Sequence, residues 1–178
     1  LERSNLREIA IPYMHRLNAL HLETVTLSIR DGSDMVYLAV LESPQKVIMA
    51  AKPGERLPVF STASGKVVMA YSNEEFIKHI LSQELPQFTS YTIRDEKTMF
   101  HILDLVRERG FAYSEQEYEE GINAVAAPII DKNQVALASI AVAGPAFRLS
   151  VERMLEIGPS VAQIAREISK EIIASAPI

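Results

Sequence analysis

The chain holds 178 residues, 48% of them hydrophobic and 7% aromatic, which suffices for one compact domain with a sizeable core. Its formal charge of −5 repels phosphate backbones, so any contact with DNA is expected to come from elsewhere. The absence of cysteine excludes thiol nucleophiles, thiolate metal sites and disulfides, and a cytoplasmic location is expected. No apolar run approaches the roughly 20 residues that span a bilayer, and Leu1 to Asn5 lack the order of a signal peptide. With no Met at its start, the chain is expected to be a fragment of a longer polypeptide.

Leu6, Ile9, Ala10, Tyr13, Leu17 and Leu20 recur at helical spacing, which predicts an amphipathic helix from about residue 4 to 20, kinked at Pro12. From Thr24 the period becomes two. Val25, Leu27 and Ile29 form a strand, Asp31-Gly32 a turn, and Met35 to Leu41 a second strand. Lys46 to Ala51 reads as a third strand ended by Pro53-Gly54. Leu57 to Phe60 then leads into a small-residue helix from about Ala63 to Tyr71. Ser72 and Glu75 form a capping box for a short helix ending near Ser82, and residues 83 to 93 show no period. Asp95 is the expected N-cap of a helix with stripe Met99, Ile102, Leu103 and Val106, closed by Arg107, Arg109 and Gly110. The apolar runs Ala124 to Ile130 and Val135 to Ala143 form a hairpin central to a sheet, stopped by Gly144-Pro145. Ser150 caps a final helix with stripe Met154, Val161, Ile164, Ala165, Ile168 and Ile172, its first turns interrupted by Pro159. Hairpins mixed with helices predict an α+β domain on an antiparallel sheet.

Tests for chemistry are mostly negative. His15, His21, His79 and His101 show no i, i+4 pair that would hold one metal, so no metal and no cofactor are expected. Gly65-Lys66 fails as a phosphate loop, because Phe60 stands where the first glycine belongs and Val67 follows the lysine. Ala63 stands where a Ser/Lys nucleophile pair needs its serine, and no Gly-x-Ser-x-Gly elbow exists. Glu115, Glu117, Glu119 and Glu120 could supply paired carboxylates, but a solvated loop is the favoured reading. Ala141 and Ala143 remove bulk from one strand face. That space is filled by a helix or by a ligand.

Several segments together resemble the IclR family of transcriptional regulators, specifically its C-terminal effector-binding domain. They are Pro53-Gly54-Glu55-Arg56-Leu57-Pro58, Ser61-Thr62-Ala63-Ser64-Gly65-Lys66, Arg107-Glu108-Arg109-Gly110 followed by Glu117 and Gly121, Val125-Ala126-Ala127-Pro128-Ile129, and Ala143-Gly144-Pro145. The resemblance covers nearly the whole chain in order, so residues 1–178 are expected to be this one domain without the family's winged helix-turn-helix. It implies a GAF-like or profilin-like antiparallel sheet with helices on one side and a ligand cup on the other. It also implies a small-molecule effector, association into a homodimer or tetramer, and DNA binding only through the absent N-terminal domain. Membrane and enzymatic roles are not implied.

The family's effector contacts fall on the backbone of Ala63 and Ser64 and on Met49, with Ser114 in place of an acidic residue and Glu117 nearby. On the two long strands Ala124, Ala141 and Ala143 replace polar side chains of relatives that bind very small ketoacids. The expected effector is therefore a bulkier organic molecule, carboxylic or aromatic, with one polar end. Two other functions compete: a hydrolase or isomerase using Glu117 with a histidine such as His101, and a structural oligomerisation domain with a filled cup. The lack of cysteine excludes the thiol-dependent reductases found among GAF-like domains.

Overall fold

A computed structural model describes residues 3–175. The chain runs α1 (Arg3–His21), β1 (Thr24–Asp31), β2 (Asp34–Leu41), β3 (Arg56–Pro58), a 3-10 turn (Val59–Ser61), α2 (Ala63–Ala70) and α3 (Glu74–Leu81). It continues with α4 (Glu96–Arg109), β4 (Ala112–Glu115), β5 (Ile122–Ile130), β6 (Ala136–Pro145) and α5 (Val151–Ser175). The strands form one antiparallel sheet in the order β3-β2-β1-β6-β5-β4. The fold is α+β, and the hairpin of long strands, β5 with β6, lies inside the sheet as expected.

Period-two alternation divides β1 between two layers. Val25, Leu27 and Ile29 face α1 and α5 in a core with Leu6, Met14, Leu17, Ile140, Met154, Val161 and Ile168. The other face carries a second core, in which Val67 and Met69 of α2 and Met99, Leu103 and Val106 of α4 pack with Ala112, Ala126 and Ala141. Helices therefore lie on both faces, and a cup would have to share its face with α2. A bulge between Leu27 and Ser28 shifts the pairing with β2, so that Tyr37 stands opposite Ser28 and Ala39 opposite Leu27.

Most end signals act as read. Asp95 Oδ2 accepts the Thr98 N–H at 2.7 Å, and Gly110 closes α4 at φ +82°, a conformation that other residues reach only with strain. Ser150 Oγ accepts the Arg153 N–H at 3.1 Å at the start of α5. Four expectations are corrected. Asn73, not Ser72, caps α3, its Oδ1 accepting the Phe76 N–H at 2.8 Å, while Ser72 donates back to Val68 O. Lys46 to Ala51 forms no strand. Its alternation is satisfied by burying Met49 and Ala51, and the segment is held by Thr24 Oγ1 donating to Met49 O and Arg148 donating to Val47 O. Pro159 does not interrupt α5, which runs unbroken from Val151; the proline is exposed, as is Leu155 four residues earlier. Leu20 is exposed and Met14 takes its place in the buried stripe of α1.

Candidate effector site

Register brings the small residues together. Thr24, Ala143, Ala124 and Ser114 stand side by side in one row across β1, β6, β5 and β4, and Thr26, Ala141, Ala126 and Ala112 form the next row. Rows of alanine leave a hollow unless something larger fills it. Here α2 fills one end, over Ala126 and Ala112. At the other end a cavity of about 270 Å³ remains, floored by Thr26, Ala124, Ala141, Ala143 and Ser114. Its walls come from Met35 and Tyr37 of β2, Glu55 to Leu57 at the sheet edge, Met49, the turn into α2, and Tyr118, Glu119 and Ile122.

The start of α2 supplies the donors. Thr62 Oγ1 accepts the Gly65 N–H at 3.0 Å and Thr62 O accepts the Lys66 N–H at 3.0 Å. The N–H groups of Ala63 and Ser64, in the first turn, have no acceptor within the helix and lie at the positive end of its dipole. α2 is held close to the preceding turn, since a Cβ on Gly65 would stand 1.7 Å from Val59 O. All eight of its residues are buried. Ser139 Oγ donates to Ser64 Oγ at 3.2 Å and fixes that side chain against the floor. Ser61, fully buried on the cavity wall, has a hydroxyl with no partner among the described residues. Burial raises the Tyr37 phenol above its ordinary value, with the charge of Glu55 adding to the effect, so it stays a neutral hydroxyl.

Of the residues singled out in sequence, Met49, Ala63, Ser64, Ser114, Ala124, Ala141 and Ala143 all line this one cavity. Glu117 does not. It is buried behind the wall, where Lys66 Nζ donates to its Oε2 at 2.6 Å and to Tyr113 O at 2.6 Å. In the acidic stretch Glu119 and Glu120 are exposed and Glu115 is half-buried, so the solvated-loop reading holds at its end and fails at Glu117. Sequence reasoning missed Thr26, Tyr37, Ser61 and Tyr118, which make the cup more polar than its alanines imply. Thr24, Thr26 and Ser28, alternating with Val25 and Leu27, were the legible signal for one polar strand face.

No histidine lines the cavity among the described residues. His101 is exposed on α4, and His21 is half-buried with Ser160 Oγ 2.7 Å from its Nε2. No group of three or more potential metal ligands comes together among the described residues, and no described helix is long and apolar enough to cross a membrane.

The sequence and the fold have counterparts among known proteins. The sequence model of the family described as Bacterial transcriptional regulator IclR C-terminal matches residues 1–170. The chain is similar to the HTH-type transcriptional repressor AllR of Escherichia coli K12, 34% identical over 170 residues that make up 95% of this chain and 63% of that protein. It thus spans less than two thirds of that relative's length. Its fold matches the crystal structure of Thermotoga maritima IclR with a TM-score of 0.88 and 32% identity, over 94% of this chain and 68% of that one. An IclR homologue from Microbacterium hydrocarbonoxydans, crystallised with 4-hydroxybenzoate, shares the fold at a TM-score of 0.84 and 23% identity, over 96% of this chain and 70% of that one. The chain belongs to the IclR family, as the C-terminal domain of its transcriptional regulators.

Proposed function

We propose that the cavity at the start of α2 senses a small organic acid, and that its occupancy alters DNA binding by a winged helix-turn-helix elsewhere in the full-length regulator. The observation that carries this reading is the convergence of free donors on one hollow: the Ala63 and Ser64 N–H groups and the unpartnered Ser61 hydroxyl. An anionic oxygen is stabilised there by helix N–H groups and the dipole without a buried counter-charge. The apolar body of the effector lies over Ala124, Ala141 and Ala143 beneath Met49. A volume of about 270 Å³ lies just below the range of roughly 300–1,000 Å³ typical of drug-sized ligands, which suits a single ring or a medium-length chain. The homologue crystallised with 4-hydroxybenzoate has this size and polarity of ligand on the same fold. Glu55 and Glu119 on the wall disfavour a second negative charge and suit a hydroxyl donor at the far end.

An enzyme built on Glu117 and a histidine lacks geometry, since Glu117 is tied to Lys66 outside the cavity. Self-association into a dimer or tetramer belongs to the same proposal, because an effector-driven shift between subunit arrangements is the simplest route to an operator. The test is thermal stabilisation. An aromatic or medium-length organic acid is expected to raise Tm more than glyoxylate or pyruvate. Ala141→Phe fills the floor, costs about 1–3 kcal/mol by overpacking, and abolishes the ligand-dependent rise. A folded Ala141→Phe protein that still binds with unchanged affinity would place the site elsewhere.

A further inference from the structure

Behind the wall of the cup, against the edge strand β4, lies a second cavity of about 170 Å³ that the effector reading does not use. It is lined by Lys66, Arg109, Tyr113, Glu115 and Glu117, with Tyr91, Ile93, Ile102 and Leu105 supplying apolar surface. Two of its charged groups are left incomplete. Glu117 is 3% exposed, and while its Oε2 is occupied by Lys66, its Oε1 is buried with no donor among the described residues. Arg109 spends its Nε–H on Phe111 O at 2.9 Å, and its guanidinium lies over the rings of Phe111 and Tyr113, at 4.7 and 5.2 Å from their centroids. No acidic side chain pairs with it among the described residues, and burial lowers its pKa from the ordinary value.

Glu117, with one buried carboxylate oxygen that has no donor, and Arg109, with guanidinium N–H groups beyond Nε that no described side chain accepts, both line this one small space. A simple anion would leave Glu117 Oε1 unsatisfied and set a negative charge beside two carboxylates. A simple cation would leave Arg109 unpaired. Only a molecule carrying a donor cation and an acceptor anion completes both. We propose that this second cavity binds a small zwitterion, an α-amino acid, whose ammonium donates to Glu117 Oε1 and whose carboxylate accepts from the free guanidinium N–H groups of Arg109. Its side chain then lies on Ile102, Leu105 and Tyr91, and the volume selects small residues over aromatic ones. This site stands independently of the effector reading of the cup.

The experiment is titration calorimetry on the intact chain with glycine, L-alanine, L-serine and L-valine, with acetate and methylammonium as single-charge controls. Amino acids are expected to bind and both controls to fail. Arg109→Met removes a charge-assisted hydrogen bond at a half-buried position and is expected to weaken binding roughly ten- to hundredfold. Glu117→Gln is expected to weaken it similarly; because this change also strips Lys66 of its counter-charge, its melting curve must show folded protein. Ala141→Phe, in the cup, is expected to leave amino-acid binding unchanged. The proposal is overturned if no amino acid binds at about 10 mM, a concentration at which even millimolar affinity saturates the site. It is equally overturned if folded Arg109→Met binds as tightly as the wild type, or if acetate binds as well as alanine. Loss of amino-acid binding in Ala141→Phe would place that ligand in the cup.

Discussion

Removal of one member of the Lys66–Glu117 pair is the sharpest test of how this domain is held. The two side chains are 2% and 4% exposed and 2.6 Å apart, one on α2 and the other on the segment that follows β4. Breaking such a pair leaves a desolvated charge with no partner, which costs about 3–5 kcal/mol. For a domain of this size each kcal/mol moves Tm by about 2–4 °C, so Lys66→Met and Glu117→Leu should each lower Tm by roughly 6–20 °C. Replacing both residues removes both desolvation costs. What remains is the Tyr113 carbonyl, which loses the Lys66 Nζ donor at a cost of about 1–3 kcal/mol. The double variant Lys66→Met/Glu117→Leu should therefore be more stable than either single one, with a coupling of at least about 2 kcal/mol in the double-mutant cycle. The assay is urea denaturation of all four proteins at constant pH and ionic strength. A double variant no more stable than Lys66→Met would show that shape, not uncompensated charge, accounts for the loss.

Two further outcomes follow from other contacts. Gly65→Ala drives a methyl group into the backbone carbonyl of Val59, at 1.7 Å, and is expected to cost more than about 4 kcal/mol. Gly54→Ala, where φ is +90° but nothing lies within 4 Å, should cost only about 1–2 kcal/mol, and equal losses in the two melting curves would refute the clash. The His21 imidazole is held below its ordinary value of 6.5, first by burial and then by the charge of Arg153. Protonation thus favours the unfolded chain, so the stability that His21 contributes is complete above pH 6.5 and is lost as pH falls through the lowered value. Urea midpoints of wild type and His21→Gln should converge toward acid pH; parallel profiles would contradict this.

What could be read from the sequence was whatever is decided locally. The caps at Asp95, Gly110 and Ser150, the β5–β6 hairpin and the small-residue α2 each rest on residues within a few positions of one another. The alanines of the floor were visible because removal of bulk from a strand face is a local fact. Their neighbours were not. Tyr37 enters the cup because the bulge at Leu27/Ser28 reverses the facing of β2, which nothing in the composition of either strand announces. Ser61 is significant only because it is buried beside a hollow, and Glu117 is explained by a lysine 51 residues away. The segment Lys46 to Ala51 misled because alternation reports which side chains are buried, not whether the backbone has a neighbour to pair with. Ser72 misled because two adjacent residues can both cap a helix, and Asn73 has the better-placed oxygen.

The segment from Tyr113 to Glu119 links the two cavities through the same alternation that built the sheet. Ser114 faces the cup, as do Tyr118 and Glu119 farther on, while Tyr113, Glu115 and Glu117 face the second cavity. Lys66 stands one turn along α2 from the free N–H groups of Ala63 and Ser64, and it grips this segment at both Tyr113 O and Glu117 Oε2. From the segment before α4, Thr92 Oγ1 donates to Glu117 O at 2.7 Å and Thr89 Oγ1 to Gln116 O at 2.6 Å, so the backbone here is fixed as well. A group that orders Glu117 from one side therefore restrains Tyr118 and Glu119 on the other. Any coupling between the two cavities must run through this short stretch and α2, and by linkage it must be equal in both directions. If the cup holds the effector as proposed, its alanines set how large a molecule it can take, and the buried lysine fixes how firmly its outer wall is held.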